Sequence, residues 1–344
     1  MNKELKINTI SISLSLIITL VIITLFLFTL SKNPFEIYSV MLGEVFGSFY
    51  GFGQMLFKAT PLIIIGCGLA ICFHASLFNI GAEGQLNAGS FVTAIVLVAL
   101  SDLPFILAFI ISVACGFLVS GLFGLIPAII KIKKGVNEVI TTIMMNFIIL
   151  YLVNYFLMNF FTVPATQRTI KIPESFMLPQ ASDLISAFQG SALNITFIFA
   201  ILLALIIYFI IYKTRFGYNI RAVGFNEIAS AYIGLKPARI TLLSFFIGAG
   251  VISLAGINFV MGYKGYYEFG YTNNIGFTAI AVALLARNHP IGIIFSALLF
   301  AFLDFGGLAV NQIIPKEVIL VIEALVILSI ISVNKLTENY FNKT

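Results

Sequence analysis

The sequence predicts an all-α polytopic membrane protein with about ten transmembrane helices. Of its 344 residues, 60% are hydrophobic and only 10% are charged, whereas soluble proteins carry about 25% charged residues. The apolar residues are spread almost from end to end, so no polar part of the chain is long enough to form a separate soluble domain. We therefore expect one transmembrane domain over residues 1–344 and exclude an ordinary soluble enzyme.

Charge-free intervals mark the candidate spans, because a bilayer core about 30 Å thick needs roughly 20 apolar residues in a helix. Six intervals are long enough on their own: residues 7–30, 59–82, 103–130, 139–167, 184–212 and 240–263. Four shorter intervals complete the set: residues 84–101, 269–286, 290–303 and 318–333. Glu323 lies in the last of these, and the surrounding Val, Ile and Leu residues offset its cost of about 3 kcal/mol.

Basic residues predict the orientation of these spans. If the N-terminus is inside, the cytoplasmic segments are 131–138, 213–239, 287–289 and the two chain ends. These segments hold thirteen of the nineteen Lys and Arg residues, and short cytoplasmic segments of membrane proteins are enriched in both. We therefore expect both ends of the chain in the cytoplasm. The basic residues form no continuous basic face, so we expect no nucleic-acid partner.

Two segments rich in glycine and amide residues lie in different halves of the chain. They are FNIGAEGQLNAG, residues 78–89, and GYYEFGYTNNIG, residues 265–276. Glycine-interrupted segments at corresponding places in two halves are typical of inverted-repeat transporters, whose substrate lies near the interface of the repeats. The alternative is that both segments are ordinary turns outside the membrane.

A polar stripe begins the predicted helix at 139–167. In GVNEVITTIMMNF, Glu138, Thr142 and Asn146 are spaced four residues apart and share one helix face. Lipid would leave such groups without hydrogen bonds, so the stripe faces a cavity or another helix. Lining of a path and bonding between helices are equally open for Thr142 and Asn146, and Glu138 is alternatively a solvated cap.

The longest predicted cytoplasmic segment, residues 213–239, contains signals for a short helix. Asn226 is a suitable N-cap, Glu227 suits the positive helix N-terminus, Gly234 suits a C-terminal stop and Pro237 follows. The residues between these signals are mostly apolar, and the segment has little of its own chain to bury them. This pattern favours a helix that docks in a partner's groove. The alternative is a helix on the membrane surface.

Three motifs together resemble the membrane permease subunits of ABC importers, in the group that includes branched-chain amino acid, ribose and nucleoside permeases. The motifs are FNIGAEGQLNAG, GVNEVITTIMMN and RAVGFNEIASAYIGLKPARI, and the resemblance covers residues 60–332. The form GVNEVITTIM is more similar to the nucleoside or simple-sugar branch than to the amino acid branch. The resemblance implies a ten-helix inverted-repeat permease in a bacterial-type plasma membrane.

The resemblance also implies the partners: cytoplasmic ABC ATPases, a second permease that is identical or homologous, and an extracytoplasmic substrate-binding protein. It assigns a coupling helix, seated on an ATPase, to residues 226–233. Five residues match the family's pattern there: Arg221, Gly224, Asn226, Ala229 and Gly234. Glu227 stands where the family often has Pro, so its own role is not given by the resemblance.

The chain contains no GxxxxGK[ST] phosphate-binding loop, so it has no evident means of hydrolysing ATP. We therefore expect a permease that is not an enzyme, that binds no cofactor of its own and that depends on ATP hydrolysis in a partner subunit. Its small-molecule substrate is expected to be a nucleoside or a simple sugar, moved by alternating access across the lipid bilayer.

Polar residues of the motifs are the candidates for the substrate path, because amide side chains can bond the hydroxyls and base edges of a nucleoside. They are Asn79, Glu83, Gln85, Asn87, Thr142, Asn146, Asn273 and Asn274. Phe147 or Tyr151 is a candidate to stack on the base. The alternative function is a secondary transporter that works alone, with Glu323 or Glu138 as a proton or ion site. A membrane scaffold without transport explains the polar motifs less well.

Overall fold

A computed structural model describes residues 17–341 of the chain. Within this range the protein is helical throughout, with no β-strand and only three isolated β-bridges. The prediction of an all-α fold is confirmed. Each of the ten predicted intervals contains helical residues, although residues 7–16 of the first interval lie outside the described residues.

The described residues form fifteen α-helices, α1 to α15 in chain order. They are α1 (Ile17–Thr29), α2 (Pro34–Phe46), α3 (Phe49–His74), α4 (Ala82–Ala99), α5 (Phe105–Lys134), α6 (Glu138–Phe156), α7 (Ala181–Leu184), α8 (Thr196–Lys213), α9 (Arg215–Phe225), α10 (Glu227–Tyr232), α11 (Pro237–Ser253), α12 (Gly256–Phe259), α13 (Ile275–Leu285), α14 (Pro290–Ala309) and α15 (Lys316–Phe341). A π-helical turn extends α6 through Leu157–Phe161, and another extends α12 through Val260–Lys264.

Among the described residues, seven helical segments are long and apolar enough to cross a membrane. They are α3, α4, α5, α6 with its π turn, α8, the continuous run Pro237–Lys264, and α14. The count rises to eight if α1 and α2, which meet at a bend of 118°, form one broken span. The predicted number of ten is therefore not confirmed. Helix α13 has only 11 residues, about 16 Å of length, which is half of a bilayer core.

Several predicted span boundaries were wrong, and in each case the local backbone explains the error. The interval 59–82 is a helix only as far as His74, because the chain leaves the helix at Ser76, where φ is +54°. The interval 184–212 is a continuous helix only from Thr196, because the Asn194 side chain accepts a hydrogen bond from the Thr196 N–H and begins α8 there. Apolar composition alone does not reveal these interruptions.

The described residues form two compact units. One contains the residues up to Met55 together with those from Leu299 onward, and the other contains Leu56–Leu298. All predicted site residues belong to the second unit. A single functional domain over the whole chain stays a prediction.

Helix α4 is the centre of the second unit, where it packs against α5, α6 and α11. Small residues allow this close packing: a Cβ added at Gly89 would lie 2.1 Å from the Cβ of Ser253, and one at Gly116 would lie 2.4 Å from Thr93 Oγ1. The glycines of the first motif therefore pack helices together instead of interrupting them. Irregular backbone spans residues 75–81, so it includes only the first four residues of that motif, and α4 follows without a break.

Candidate functional site

Six of the eight predicted path residues lie together in one buried polar network around the start of α4. Their side chains are almost fully enclosed, with exposures between 0% and 4%: Asn79, Glu83, Gln85, Asn87, Thr142 and Asn146. The other two, Asn273 and Asn274, are exposed in the turn before α13. Both have positive φ values, +42° and +67°, a conformation that asparagine tolerates better than most residues. We call the six buried residues the polar network.

Asn146 and Thr142 fasten α6 to the irregular chain before α4. The Asn146 side chain donates to the Ile80 carbonyl at 2.7 Å and accepts from the Gly84 N–H at 2.9 Å. The Ile80 N–H donates to Thr142 Oγ1 at 3.2 Å. Thr142 and Asn146 of the predicted polar stripe therefore form hydrogen bonds with backbone groups between α3 and the first turn of α4. Without these bonds, the backbone groups would lack partners at membrane depth.

Asn79 and Gln85 bond each other through their amide groups. Asn79 Nδ2 donates to Gln85 Oε1 at 2.9 Å, and Gln85 Nε2 donates back to Asn79 Oδ1 at 3.2 Å. The same Asn79 oxygen accepts from the Gly81 N–H at 3.0 Å. This arrangement fixes the turn that leads into α4, and it uses most of the hydrogen-bonding capacity of both amides.

Glu83 connects the first turns of two helices. It belongs to the first turn of α4, and its Oε2 accepts from the Gly276 N–H in the first turn of α13 at 2.7 Å. Its Oε1 accepts from the Thr272 hydroxyl. A carboxylate is favoured at helix N-termini because the unpaired N–H groups there carry partial positive charge. No Lys or Arg forms an ion pair with it among the described residues.

Asn87 extends the network to the linker before α13. Its Nδ2 donates to Thr272 Oγ1 at 3.1 Å and its Oδ1 accepts from the Tyr267 hydroxyl at 2.9 Å. Sequence reasoning missed Thr272, Tyr267 and Gly276 as members of this site. They lie inside the segment 265–276 that the sequence singled out, but a search for amide side chains selects its two adjacent asparagines instead.

Contacts at the α5–α6 turn explain the position of Glu138. The sequence left two interpretations of this residue: a group that lines a cavity, or a solvated helix cap. Glu138 forms an ion pair with Lys131, 2.8 Å from Nζ to Oε2, and lies 3.4 Å from the Phe78 N–H. Asn137 caps α6 by accepting from the Val139 N–H. Glu138 is therefore a partly buried structural residue at the N-terminus of α6.

The segment 213–239 contains the predicted short helix, α10. Asn226 is its N-cap and accepts from the Ala229 N–H at 2.9 Å, as predicted. The helix ends before Gly234, where φ is +88°, and Pro237 begins α11. Its apolar side chains are largely uncovered: Ile228 is 72% exposed and Tyr232 is 88% exposed, and Phe225 at the end of α9 is 95% exposed.

Helix α9, which precedes α10, packs against the end of α3. A Cβ added at Gly224 would lie 2.1 Å from the His74 carbonyl oxygen, so only glycine permits this approach. The Ser76 hydroxyl donates to the Gly224 carbonyl at 2.6 Å. The Arg221 guanidinium lies 5.3 Å from the centre of the Tyr212 ring on α8, a favourable cation–π distance. Gly224, one of the five predicted coupling residues, thus contacts the break between α3 and α4 that leads to the polar network.

Broken helices around a buried polar network, together with an uncovered apolar helix on a basic linker, define a polytopic membrane protein of the permease class. The chain belongs to the family described as "Branched-chain amino acid transport system / permease component", whose model matches residues 51–331. The family resemblance drawn from the motifs is confirmed.

Similar proteins include named transport permeases. The guanosine ABC transporter permease protein NupP of Bacillus subtilis is 37% identical over 86% of this chain and 85% of its own length. The nucleoside ABC transporter permease protein NupB of Lactococcus lactis is 33% identical over 86% and 83%, respectively. The glucose ABC transporter permease protein TsgB13 of Haloferax volcanii is 31% identical over 89% and 82%. No solved structure shows a significant match.

Proposed function

We propose that this chain is the permease subunit of an ATP-driven importer and that its substrate is a nucleoside. The observation that carries the proposal is the contact route from the uncovered α10 to the polar network, in a chain that shares its family with nucleoside permeases. A simple sugar is the second candidate, favoured by the similarity to a glucose permease.

The contact route supports mechanical coupling. A force applied at α10 reaches α9 through Asn226, and Gly224 carries it to the end of α3 through the Ser76 hydrogen bond. Residues 77–81 then lead to Asn79 and to the α6 side chains that hold the start of α4. Movement of α10 by a partner would therefore shift the first turn of α4 without passing through flexible chain.

The exposed surface of α10 supports an ATPase as that partner. An apolar helix with side chains as exposed as Ile228 and Tyr232 loses water-contacting area when it enters a groove. With the ATPase bound at α10, segment 213–239 is cytoplasmic, which agrees with the excess of Lys and Arg in the predicted cytoplasmic segments. A cytoplasmic location of the α5–α6 turn and of both chain ends is part of the proposal. A second permease and an extracytoplasmic binding protein complete the proposed importer.

The docking role is tested by capture of the ATPase subunits on the detergent-solubilised chain. Ile228→Asp places a charge on the exposed face of α10, where Ile228 is 72% exposed. The matched control is Leu184→Asp, which changes a 79% exposed residue in the segment between α6 and α8. We expect Ile228→Asp to abolish capture and Leu184→Asp to retain it. Equal capture by both variants would contradict the docking role.

The substrate is tested by uptake into proteoliposomes that contain the complete importer with ATP on the ATPase side. We expect uptake of labelled guanosine, inhibition by other unlabelled nucleosides, and no inhibition by glucose. Uptake of glucose without uptake of guanosine would move the assignment to sugars. Uptake that depends on a proton gradient and does not depend on ATP would show that the protein is a secondary transporter and not part of an ATP-driven importer.

A further inference from the structure

One face of α6 carries aromatic and methionine side chains that no other part of the described chain covers. The face consists of residues spaced three or four apart, which align along one side of a helix: Ile140, Met144, Phe147, Tyr151, Tyr155 and Met158. Each is between 43% and 73% exposed, and Tyr151 has the highest value. We call this set the α6 face. It points away from the side of α6 that carries Thr142 and Asn146, which are buried.

Tyr151 lies too deep to be an ordinary interfacial tyrosine. The helix Glu138–Phe161 has 24 residues, so Tyr151 lies about 2 Å from its midpoint at 1.5 Å per residue. Interfacial tyrosines lie at the headgroup level, about 15 Å from the centre of the bilayer. The hydroxyls of Tyr151 and Tyr155 bond no other described residue. In lipid, a hydroxyl without a partner costs several kcal/mol.

The exposed faces of α5 and α8 differ from the α6 face and have the composition expected against lipid. At the level of the membrane they present only aliphatic side chains and phenylalanine: Ile106, Ile110, Leu118, Leu122 and Ile126 on α5, and Ile198, Leu202, Leu205, Ile206 and Phe209 on α8. The tyrosines of α6 thus distinguish its outer face from those of two other spans in the same unit. Their hydroxyls require water, substrate or protein opposite them.

The polar network offers little to a passing substrate. Its donors and acceptors bond one another and the nearby backbone, and none of its side-chain atoms is among the buried atoms without a partner in the described chain. A substrate that bonded Asn146 would have to displace the Ile80 carbonyl or the Gly84 N–H. The α6 face needs no such displacement, because its rings and hydroxyls are already open.

We propose that the α6 face lines the translocation path and that Phe147, Tyr151 and Tyr155 bind the planar base of the substrate. This proposal rests on the nucleoside function proposed above and names the surface that recognises the base. A purine or pyrimidine stacks on exposed aromatic rings irrespective of its substituents, which suits a path that selects for planarity. The tyrosine hydroxyls supply hydrogen bonds along the edge of the base.

The test measures whether water and substrate reach the α6 face. The background carries Cys115→Ala, because Cys115 is partly exposed whereas Cys67 and Cys72 are fully buried. In the reconstituted complete importer, Tyr151→Cys is compared with Leu118→Cys. Leu118 is the matched control because it is 51% exposed and lies about 2 Å from the midpoint of α5. Both variants are treated with a charged, water-soluble thiosulfonate.

We expect Tyr151→Cys to react at least about tenfold faster than Leu118→Cys, since water is absent from the hydrocarbon core. Guanosine should slow the reaction of Tyr151→Cys, and ribose should not. In uptake assays, Tyr151→Leu should raise the guanosine concentration that gives half-maximal uptake by about 5- to 150-fold, the range given by loss of one stacking contact. Tyr151→Phe keeps the aromatic ring, so its half-saturating guanosine concentration should rise less than that of Tyr151→Leu.

Each other outcome contradicts the proposal. Equal, slow reaction of both cysteine variants would place the α6 face in lipid. Slow reaction combined with cross-linking of Tyr151→Cys to the second permease would make it a subunit interface. Fast reaction without protection by guanosine would make it a water-filled surface that does not bind the base. Uptake by the importer without the Tyr151 substitution tests the proposed function independently. If that importer takes up guanosine while Tyr151→Cys is unreactive, the α6 proposal is contradicted and the nucleoside function is not.

Discussion

The carboxylate of Glu83 accepts a hydrogen bond from the backbone N–H of Gly276 at 2.7 Å, although the two residues are 193 positions apart in the chain. The bond joins the first turn of α4 to the first turn of α13, so one acidic side chain serves two helix N-termini. The contact is also steric, because a Cβ at Gly276 would lie 2.5 Å from the Glu83 backbone nitrogen. It fixes where the short helix α13 begins.

Glu83→Leu should destabilise the protein more than Glu83→Gln. Leucine leaves the Gly276 N–H and the Thr272 hydroxyl without their acceptor, at a cost of about 1–3 kcal/mol for each buried group. Glutamine keeps one carbonyl acceptor. The measurement is the thermal unfolding midpoint of the purified protein, with Glu174→Gln as the control because the Glu174 side chain is 89% exposed. Equal midpoints for Glu83→Leu and wild type would contradict a structural role for the carboxylate.

Gly276→Ala should lower both stability and substrate uptake. The new methyl group meets backbone atoms of Glu83, which cannot move aside as a flexible side chain could. We expect a loss of about 1–3 kcal/mol, typical of overpacking, measured as a lower unfolding midpoint. Gly43→Ala is the control, because a Cβ at Gly43 in α2 meets nothing within 4 Å. A similar effect of both substitutions would show that the contact at Gly276 is not the cause.

Asn146→Leu should lower uptake and also loosen the start of α4. The substitution removes the bond to the Ile80 carbonyl and the acceptor for the Gly84 N–H, at about 1–3 kcal/mol for each buried backbone group. Hydrogen exchange of residues 80–86 should increase relative to wild type. Asn159→Leu is the control on the same helix, since Asn159 is exposed. Reduced uptake with unchanged exchange would instead favour direct contact between Asn146 and the substrate.

Gly234→Val should uncouple transport while the protein stays in the membrane. Gly234 has a φ of +88° and open space around it, so the cost of about 1–2 kcal/mol comes from the backbone and falls on the end of α10. ATP-driven uptake should fall, with normal expression. Gly135→Val is matched to it, since Gly135 has a φ of +65° and open space at the end of α5. Full uptake by Gly234→Val would remove the end of α10 from the coupling mechanism.

Sequence patterns were reliable where one local property decided the structure. Every predicted interval contains helical residues, although only seven or eight of the described helical segments are long and apolar enough to cross a membrane. Asn226 with Gly234 marked both ends of α10. Patterns were less reliable at the ends of spans, where Ser76 or Asn194 interrupts a run that hydropathy reads as continuous. Residues 269–274 are uncharged and were therefore included in a predicted span, but the positive φ values of Asn273 and Asn274 shorten it to α13.

The sequence by itself determined that the chain is a polytopic helical protein, which family it resembles and which short segments carry polar residues. These properties depend on composition and on spacing within one helix, so neighbouring residues are sufficient to reveal them. Only the tertiary structure decided that Glu83 accepts a hydrogen bond from the Gly276 N–H and that Asn146 accepts one from the Gly84 N–H of α4. It also decided that Tyr151 lies on the opposite side of α6 from the polar network. Such pairings depend on how helices distant in the chain pack together, and no local pattern encodes the packing of helices that meet through close glycine contacts.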